Sequence, residues 1–338
     1  MTAKRANNLT LLIILLAVTA VMSIFIPDRF LTLINFRSMA MQFPEYGLLA
    51  LGIMLAMLTG GIDLSLVSII SLSGVTAGMV LTRYQEIGLP PEMVILLAIF
   101  VALVVALACG LINGLLITLA NVPAIIATLG TNGLFLGIAI VLTEGHGIRG
   151  FPTEFIMIGN GMTLGIPNTF IIFVVVALLV GLMLSRSRLG FQMRMLGASP
   201  EASQYSGVRN SSVLIKTHMV TALLAGIAAI IIISRVNSIR PGYGSNYLLL
   251  SVLIAILGGT NPAGGFATTL GVSLGIVTLQ VLTSGLNILN FTPFFRKFIW
   301  GLFLLVVMVI HYYRQVWGAR KISRQSREKT QAVPGPGR

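Results

Sequence analysis

The chain has 338 residues, 56% of them hydrophobic and only 9% charged, with a mean hydropathy of +0.96. Soluble domains carry about 25% charged residues, so this composition excludes a water-soluble fold and implies an all-α polytopic membrane protein. The formal charge of +13 does not imply nucleic acid as a partner, because the basic residues sit in short loops and tails around apolar runs, as topology signals do.

A helical span needs about 20 mostly apolar residues. Ten candidates follow in chain order: Leu9–Ile26, Met39–Leu58, Ser65–Thr82, Met93–Ala120, Pro123–Thr143, Ile166–Ser185, Ser212–Ser234, Tyr247–Leu257, Phe266–Leu286 and Phe298–Tyr313. The eighth is short. Only Glu144–Gly165 and Arg186–Ser211 are longer loops. No linker divides the chain, which reads as one transmembrane domain, residues 1–319, and a disordered tail, 320–338. An even number of spans places both termini on one side. Lys4, Arg5, Arg186, Arg188, Arg194, Arg209 and the basic residues after the last span gather there, with Lys216 just inside the seventh span. Arg29, Arg37, Arg83, Arg149, Arg235, Arg240, Arg296 and Lys297 fall on the other side. The basic excess marks the cytoplasm, so both termini are expected there.

Two glycine-rich breaks stand out. Thr59-Gly60-Gly61-Ile62-Asp63-Leu64-Ser65 separates the second and third spans, and Leu257-Gly258-Gly259-Thr260-Asn261-Pro262-Ala263-Gly264-Gly265 separates the eighth and ninth. Paired interruptions in two halves point to a transport site at a repeat interface, so an internal repeat is expected. Asp63 suits either a helix cap or a polar path, since an intramembrane charge normally faces protein or water. Asn261-Pro262 suits a turn or contact with a solute. Asn113, Thr128, Thr131, Asn132, Gln280 and Asn287 suit interhelical hydrogen bonds or the lining of a path. The candidate pathway and gating residues are therefore Gly60, Gly61, Asp63, Ser65, Asn132, Gly258, Gly259, Thr260 and Asn261. Gly74/Gly78, Gly110/Gly114, Gly133/Gly137 and Gly271/Gly275 have helix-packing spacing.

In the loop 186–211, Ser199-Pro200-Glu201 reads as an N-cap with proline at the first helical position. A short helix, Pro200–Tyr205, is expected to end at Gly207, either as plain surface or as a docking element. His146, His218 and His311 lack the spacing for a shared metal and receive no role. Cys109 stands alone, which excludes a disulfide framework. No phosphate-binding Walker loop is present, so the chain carries no ATP site of its own and is not expected to be an enzyme.

These residues resemble the ribose-type permeases, the membrane subunits of bacterial ABC sugar importers within the branched-chain amino acid/ribose permease superfamily. Thr59–Ser65 is similar to the family signature. Pro123-Ala-Ile-Ile-Ala-Thr-Leu-Gly130, Leu257–Gly265 and Ser284-Gly285-Leu286-Asn287 agree in order and spacing. Arg188-Leu-Gly-Phe191 with Leu196-Gly197-Ala198-Ser199 and Ser206-Gly207-Val208 resembles the region that touches the ATPase. The resemblance assigns coupling to Arg188, Gly190, Gly197, Ser199, Pro200, Glu201, Ala202, Tyr205 and Gly207. It departs where Leu66-Val67 follows Asp-Leu-Ser and where Tyr247-Leu248-Leu249 replaces an acidic pair.

What the resemblance implies is an inner-membrane, multi-pass permease importing a monosaccharide or similar small polar solute. Its partners would be two cytoplasmic ATPase subunits holding ATP and Mg, a periplasmic or lipoprotein sugar-binding protein, a second permease copy or paralogue, and membrane lipid. The outward basic residues Arg29, Arg37, Arg149, Arg235 and Arg240 suit either contact with acidic residues of the binding protein or plain loop solvation. Branched-chain amino acids and nucleosides stay open as solutes, and an ion-coupled secondary transporter is the competing class.

Overall fold

The computed structural model describes residues 3–83, 88–303, 305 and 309, with side chains from residue 8 onward. The chain forms two compact units, Met1–Thr292 and Pro293–Arg338. In the second unit, residues 293–303 are helical. The rest of the tenth expected span and the tail 320–338 lie outside the described residues.

The first unit is a helix bundle. In chain order it holds α1 (Ala3–Phe25), α2 (Pro27–Phe30), α3 (Leu33–Leu58), α4 (Leu66–Thr82), α5 (Pro91–Leu119), α6 (Ala124–Thr143), α7 (Thr153–Asn160), α8 (Asn168–Arg186), α9 (Arg188–Ala198), α10 (Pro200–Tyr205), α11 (Asn210–Val236), α12 (Tyr247–Leu257) and α13 (Thr269–Ile288). Among the described residues, seven of these are long and apolar enough to cross a membrane, and α4 and α12 are shorter apolar helices. The only strands described are two-residue pieces. β1 (Ile148–Arg149) pairs antiparallel with β4 (Ser238–Ile239), and β2 (Met162–Thr163) pairs with β3 (Ile166–Pro167).

The first nine expected spans are found to within a few residues, except that α1 and α3 each start six residues earlier, at Ala3 and Leu33. Thr32 caps α3, its hydroxyl accepting from Asn35 N–H at 3.2 Å. Asn35 and Arg37 had hidden those two turns among polar residues. Three helices were missed: the single turn α2, and α7 and α9, which are short and weakly apolar. Expected helix Pro200–Tyr205 is present with those bounds.

The core sits on α3, whose residues from Phe43 to Leu58 are all buried. Helix α11 packs against α5, α3 and α4, while α13 joins α1, α3 and α12. Outer helices such as α8 bury only part of their apolar surface. Their remaining faces are suited to lipid, where apolar exposure costs nothing. Glycines set the closest crossings. A Cβ at Gly110 would stand 2.5 Å from the His218 carbonyl oxygen and 2.6 Å from Ala222 Cβ, and one at Gly114 would stand 2.7 Å from Ile215 Cα. Gly74 and Gly78 make room instead for the Ile239 side chain on β4, 3.1 and 3.0 Å from an added Cβ. The expectation for Gly133 and Gly137 is corrected: nothing lies within 4 Å of a Cβ at either, so they do not pack a helix within this unit.

This separates two kinds of glycine by experiment. Gly110→Val must push α5 from α11, and the folded fraction in fluorescence-detected size-exclusion chromatography should fall severely. Gly133→Ala should leave the folded yield of the isolated chain unchanged.

Candidate functional site

Both glycine-rich breaks end a helix in the same way. Helix α3 closes with Gly60 N–H donating to Met57 O (2.9 Å) and Gly61 N–H to Ala56 O (3.2 Å). Helix α12 closes with Gly259 N–H donating to Ile256 O (2.9 Å) and Thr260 N–H to Ala255 O (3.0 Å). Gly60 and Gly259 take the left-handed conformation, at φ +87° and +83°. These are two Schellman motifs, in which a glycine lets the chain turn while the last carbonyls stay bonded. Gly60 corresponds in backbone to Gly259, so the two Gly-Gly pairs are offset by one residue, and the breaks are alike in geometry more than in letters.

The breaks meet each other. Leu58 O, beyond the reach of its own helix, accepts from Gly265 N–H at 3.0 Å. The end of α9 lies on this contact. A Cβ at Gly197 would fall onto Leu58 O and stand 2.5 Å from Gly265 N, and one at Gly264 would stand 2.5 Å from Gly197 O. Three backbones thus touch where only glycine fits. Asn261 builds the turn that brings Gly264 there: its Nδ2 donates to Gly264 O at 2.8 Å and its Oδ1 accepts from Ala263 N–H at 3.2 Å. Thr260 beside it is fully buried, and its hydroxyl has no partner among the described residues.

Asp63 is fully buried and gathers the first break. Its Oδ1 accepts from Ser65 N–H at 3.0 Å and from Ser65 Oγ at 2.6 Å. Its Oδ2 lies 3.1 Å from His218 Nδ1 and accepts from Thr221 Oγ1 at 3.2 Å. Asn113 Nδ2 donates to Ser65 Oγ at 2.7 Å. Thr128 Oγ1 accepts from Leu64 N–H at 3.1 Å, and Asn132 Oδ1 accepts from Ser68 Oγ at 2.5 Å. One carboxylate therefore bonds the start of α4 and ties it to α11, and the same segment is pinned to α5 and α6. His218, given no role from sequence, is half of a buried pair; its partner lies 155 residues away along the chain, and no local pattern announces it. His218 sits eight residues into α11, about 12 Å along the helix axis, so this tip of the chain is drawn well inside the bundle.

The loop 186–211 is two capped helices. Ser187 Oγ accepts from Gly190 N–H at 3.1 Å, and Ser199 Oγ from Ala202 N–H at 3.2 Å. Gly190 is buried against the end of α8, within 2.6 Å of Leu184 Cα for an added Cβ. Asn210 at the start of α11 clasps α10, its Nδ2 donating to Pro200 O and its Oδ1 accepting from Ser203 Oγ, both at 2.9 Å. Arg188, Glu201 and Ala202 are exposed, as is Gly207, and Tyr205 is 94% exposed. The loop thus has a fastened inner side and a free outer side.

At the other end of α11, Arg235 Nε pairs with buried Glu45 on α3, whose Oε2 accepts from Tyr247 OH at 2.6 Å. Tyr46 OH next to it bonds Gln280 Oε1. The expectation that Arg235 is free to meet a partner's acid is corrected here: Glu45, within the same chain, already holds it. Arg149 and Arg240 remain beside the β1–β4 pair.

A bundle of apolar helices, two hairpin tips drawn inside it and a capped loop fastened to both tips define a polytopic membrane permease. The sequence model described as the permease component of the branched-chain amino acid transport system matches residues 35–311, and the chain belongs to this family. It is 32% identical to the ribose import permease protein of Bacillus subtilis (strain 168), over 86% of this chain and 88% of that one. It is 31% identical to the ribose import permease protein of Escherichia coli (strain K12), over 90% and 93%. The D-allose transport system permease protein of the same strain is 29% identical, over 88% and 89%. No solved structure matches the chain.

Asp63→Ala would strand His218, Thr221 and Ser65. Removing one member of a buried ionic pair costs about 3–5 kcal/mol, so the melting temperature of the purified chain in detergent should drop by many degrees. Asp63→Asn keeps the hydrogen-bonding shape and should lose markedly less.

Proposed function

We propose that this chain is the membrane-spanning subunit of an ATP-driven importer for a monosaccharide or a similar polyhydroxylated solute. The sugar class rests on the ribose and allose relatives and on a further one, 32% identical over 78% of this chain, named for autoinducer 2 import. Hydrolysis belongs to separate cytoplasmic ATPase subunits carrying ATP and Mg. A binding protein delivers the solute from outside, and a second permease copy or paralogue completes the pore. Loop 186–211 and both termini face the cytoplasm of a bacterial inner membrane, in keeping with Arg186, Arg188, Arg194 and Arg209 at one end of the bundle.

The observation that carries this reading is the contact of Gly197 with Leu58 and Gly265. The exposed side of α9–α10 receives the ATPase. Its inner side bears on the tips of α3–α4 and α12–α13, so a push on the loop reaches both breaks without passing through flexible side chains. The Asn210 clasp carries the same push into α11, and the Asp63–His218 pair returns it to the first break. Gly60, Gly61, Gly258 and Gly259 give the tips their freedom to turn. Thr260 and Asn132 offer neutral polar groups beside the route, suited to hydroxyl-rich solutes. Arg188, Ser199, Pro200, Glu201 and Tyr205 form the docking face, with Gly190 and Gly207 setting its bends.

Glu201→Arg reverses one exposed charge and leaves the Ser199 cap in place. Co-expressed with its ATPase and binding protein in vesicles, this variant should keep its fold while ATP-dependent uptake falls at least tenfold, an effect of about 1.4 kcal/mol or more in coupling. Normal uptake would remove α10 from the docking face. A thermal-shift screen of the partner binding protein against monosaccharides and branched-chain amino acids decides the solute class.

A further inference from the structure

On the outside of the bundle, between α8 and α13, runs a groove of about 540 Å³. Phe43 and Phe173, packed edge to face at 5.1 Å between centroids, lie at its floor. Leu178, Leu182 and Leu270 line it, each more than half exposed. Toward the loop end it meets a second cavity of about 720 Å³, and Leu184, Ser185 and Arg194 belong to both. That second cavity is lined by Arg186, Arg188 and Arg194 and by no acidic residue. Neither ion pair among the described residues includes any of the three.

We infer that this continuous site binds an anionic phospholipid, its phosphate held by Arg186 and Arg194 and one acyl chain in the α8–α13 groove, while Arg188, on the rim of the same cavity, serves the docking face. Three guanidiniums clustered without a carboxylate repel one another and lack a counter-charge, which a phosphodiester supplies through charge-assisted hydrogen bonds. A basic pocket between transmembrane helices at the cytoplasmic face is the environment that retains such head groups. The inference rests on the permease reading for one point, that loop 186–211 is cytoplasmic. The groove also fixes the kind of ligand: a soluble protein offers acids to the arginines but nothing to enter a slot between membrane helices. The site lies next to the transport machinery, since Thr268, the cap of α13 just after the second break, is part of the groove wall. Bound lipid would brace α8 against α13 beside the Gly197 contact.

The test loads the delipidated full chain in mild detergent with equimolar phosphatidylglycerol and phosphatidylcholine and counts retained lipid by native mass spectrometry. The wild-type chain should prefer phosphatidylglycerol. Arg186→Gln with Arg194→Gln should lower that retention roughly tenfold or more, given about 1 kcal/mol for each basic residue near an anionic surface. Arg186→Lys with Arg194→Lys should keep most of it. Leu178→Trp, which fills the groove and leaves every charge in place, should also lower it. Unchanged elution on size exclusion shows that each variant is folded. Equal retention of both lipids, displacement of phosphatidylglycerol by millimolar inorganic phosphate, or retention untouched by the glutamine pair would overturn the inference. So would protection of a Ser185→Cys thiol by added ATPase subunits and not by phosphatidylglycerol. Vesicle uptake is read separately, so a chain that transports without selecting lipid sinks this site and leaves the permease reading intact.

Discussion

The structure turns on the need to satisfy backbone polar groups where the chain reverses inside an apolar bundle. Each unbonded amide or carbonyl there costs several kcal/mol, and two hairpin tips bring many of them in. Schellman turns at Gly60 and Gly259 absorb the last carbonyls of α3 and α12. Leu58 O, which points onward past its own helix, is met by Gly265 N–H of the opposite tip. Asp63 then bonds the amide of Ser65, the residue that leads into α4. The two halves of the fold are therefore joined by the solution to a solvation problem.

That solution has a mechanical consequence. Side-chain contacts can relax by changing rotamer, whereas backbone-on-backbone contact at Gly197 and Gly264 cannot. A loop joined to both tips in this way transmits small displacements instead of absorbing them, much as packed interfaces switch between arrangements and do not deform continuously. Helix α11 provides the parallel route. Its start clasps α10 through Asn210, its first third holds Asp63 through His218, and its far end holds Glu45 through Arg235. One rod thus registers the loop, the first break and the middle of α3.

Much of this was legible in the residues, for identifiable reasons. Spans announce themselves by apolar length, and Gly60, Gly259 and Ser199-Pro200 mark positions where backbone geometry dictates the residue. What was hidden depends on distance along the chain. Nothing near His218 says that Asp63 lies against it, and nothing near Arg235 points to Glu45. Gly133-x-x-x-Gly137 has the same spacing as Gly110-x-x-x-Gly114, yet only the second pair meets a helix in this unit, because spacing encodes a small face and says nothing about what covers it. Helices α7 and α9 escaped notice since local polarity outweighs two or three turns of weak periodicity.

The placement of charge bears on how the bundle is driven. An ion-coupled carrier works by letting a buried acid exchange a proton or metal ion for a different partner during its cycle. Asp63 and Glu45 are the buried carboxylates among the described residues, and each is held by two side chains distant in sequence, Asp63 by His218 and Thr221 and Glu45 by Arg235 and Tyr247. Loading an ion on either would break bonds that fix α11 to α3 and α4, at a cost of several kcal/mol for each stranded partner. Carboxylates fastened in this way serve as struts. The outer side of α9–α10, by contrast, is exposed, while its inner side is fastened to both breaks.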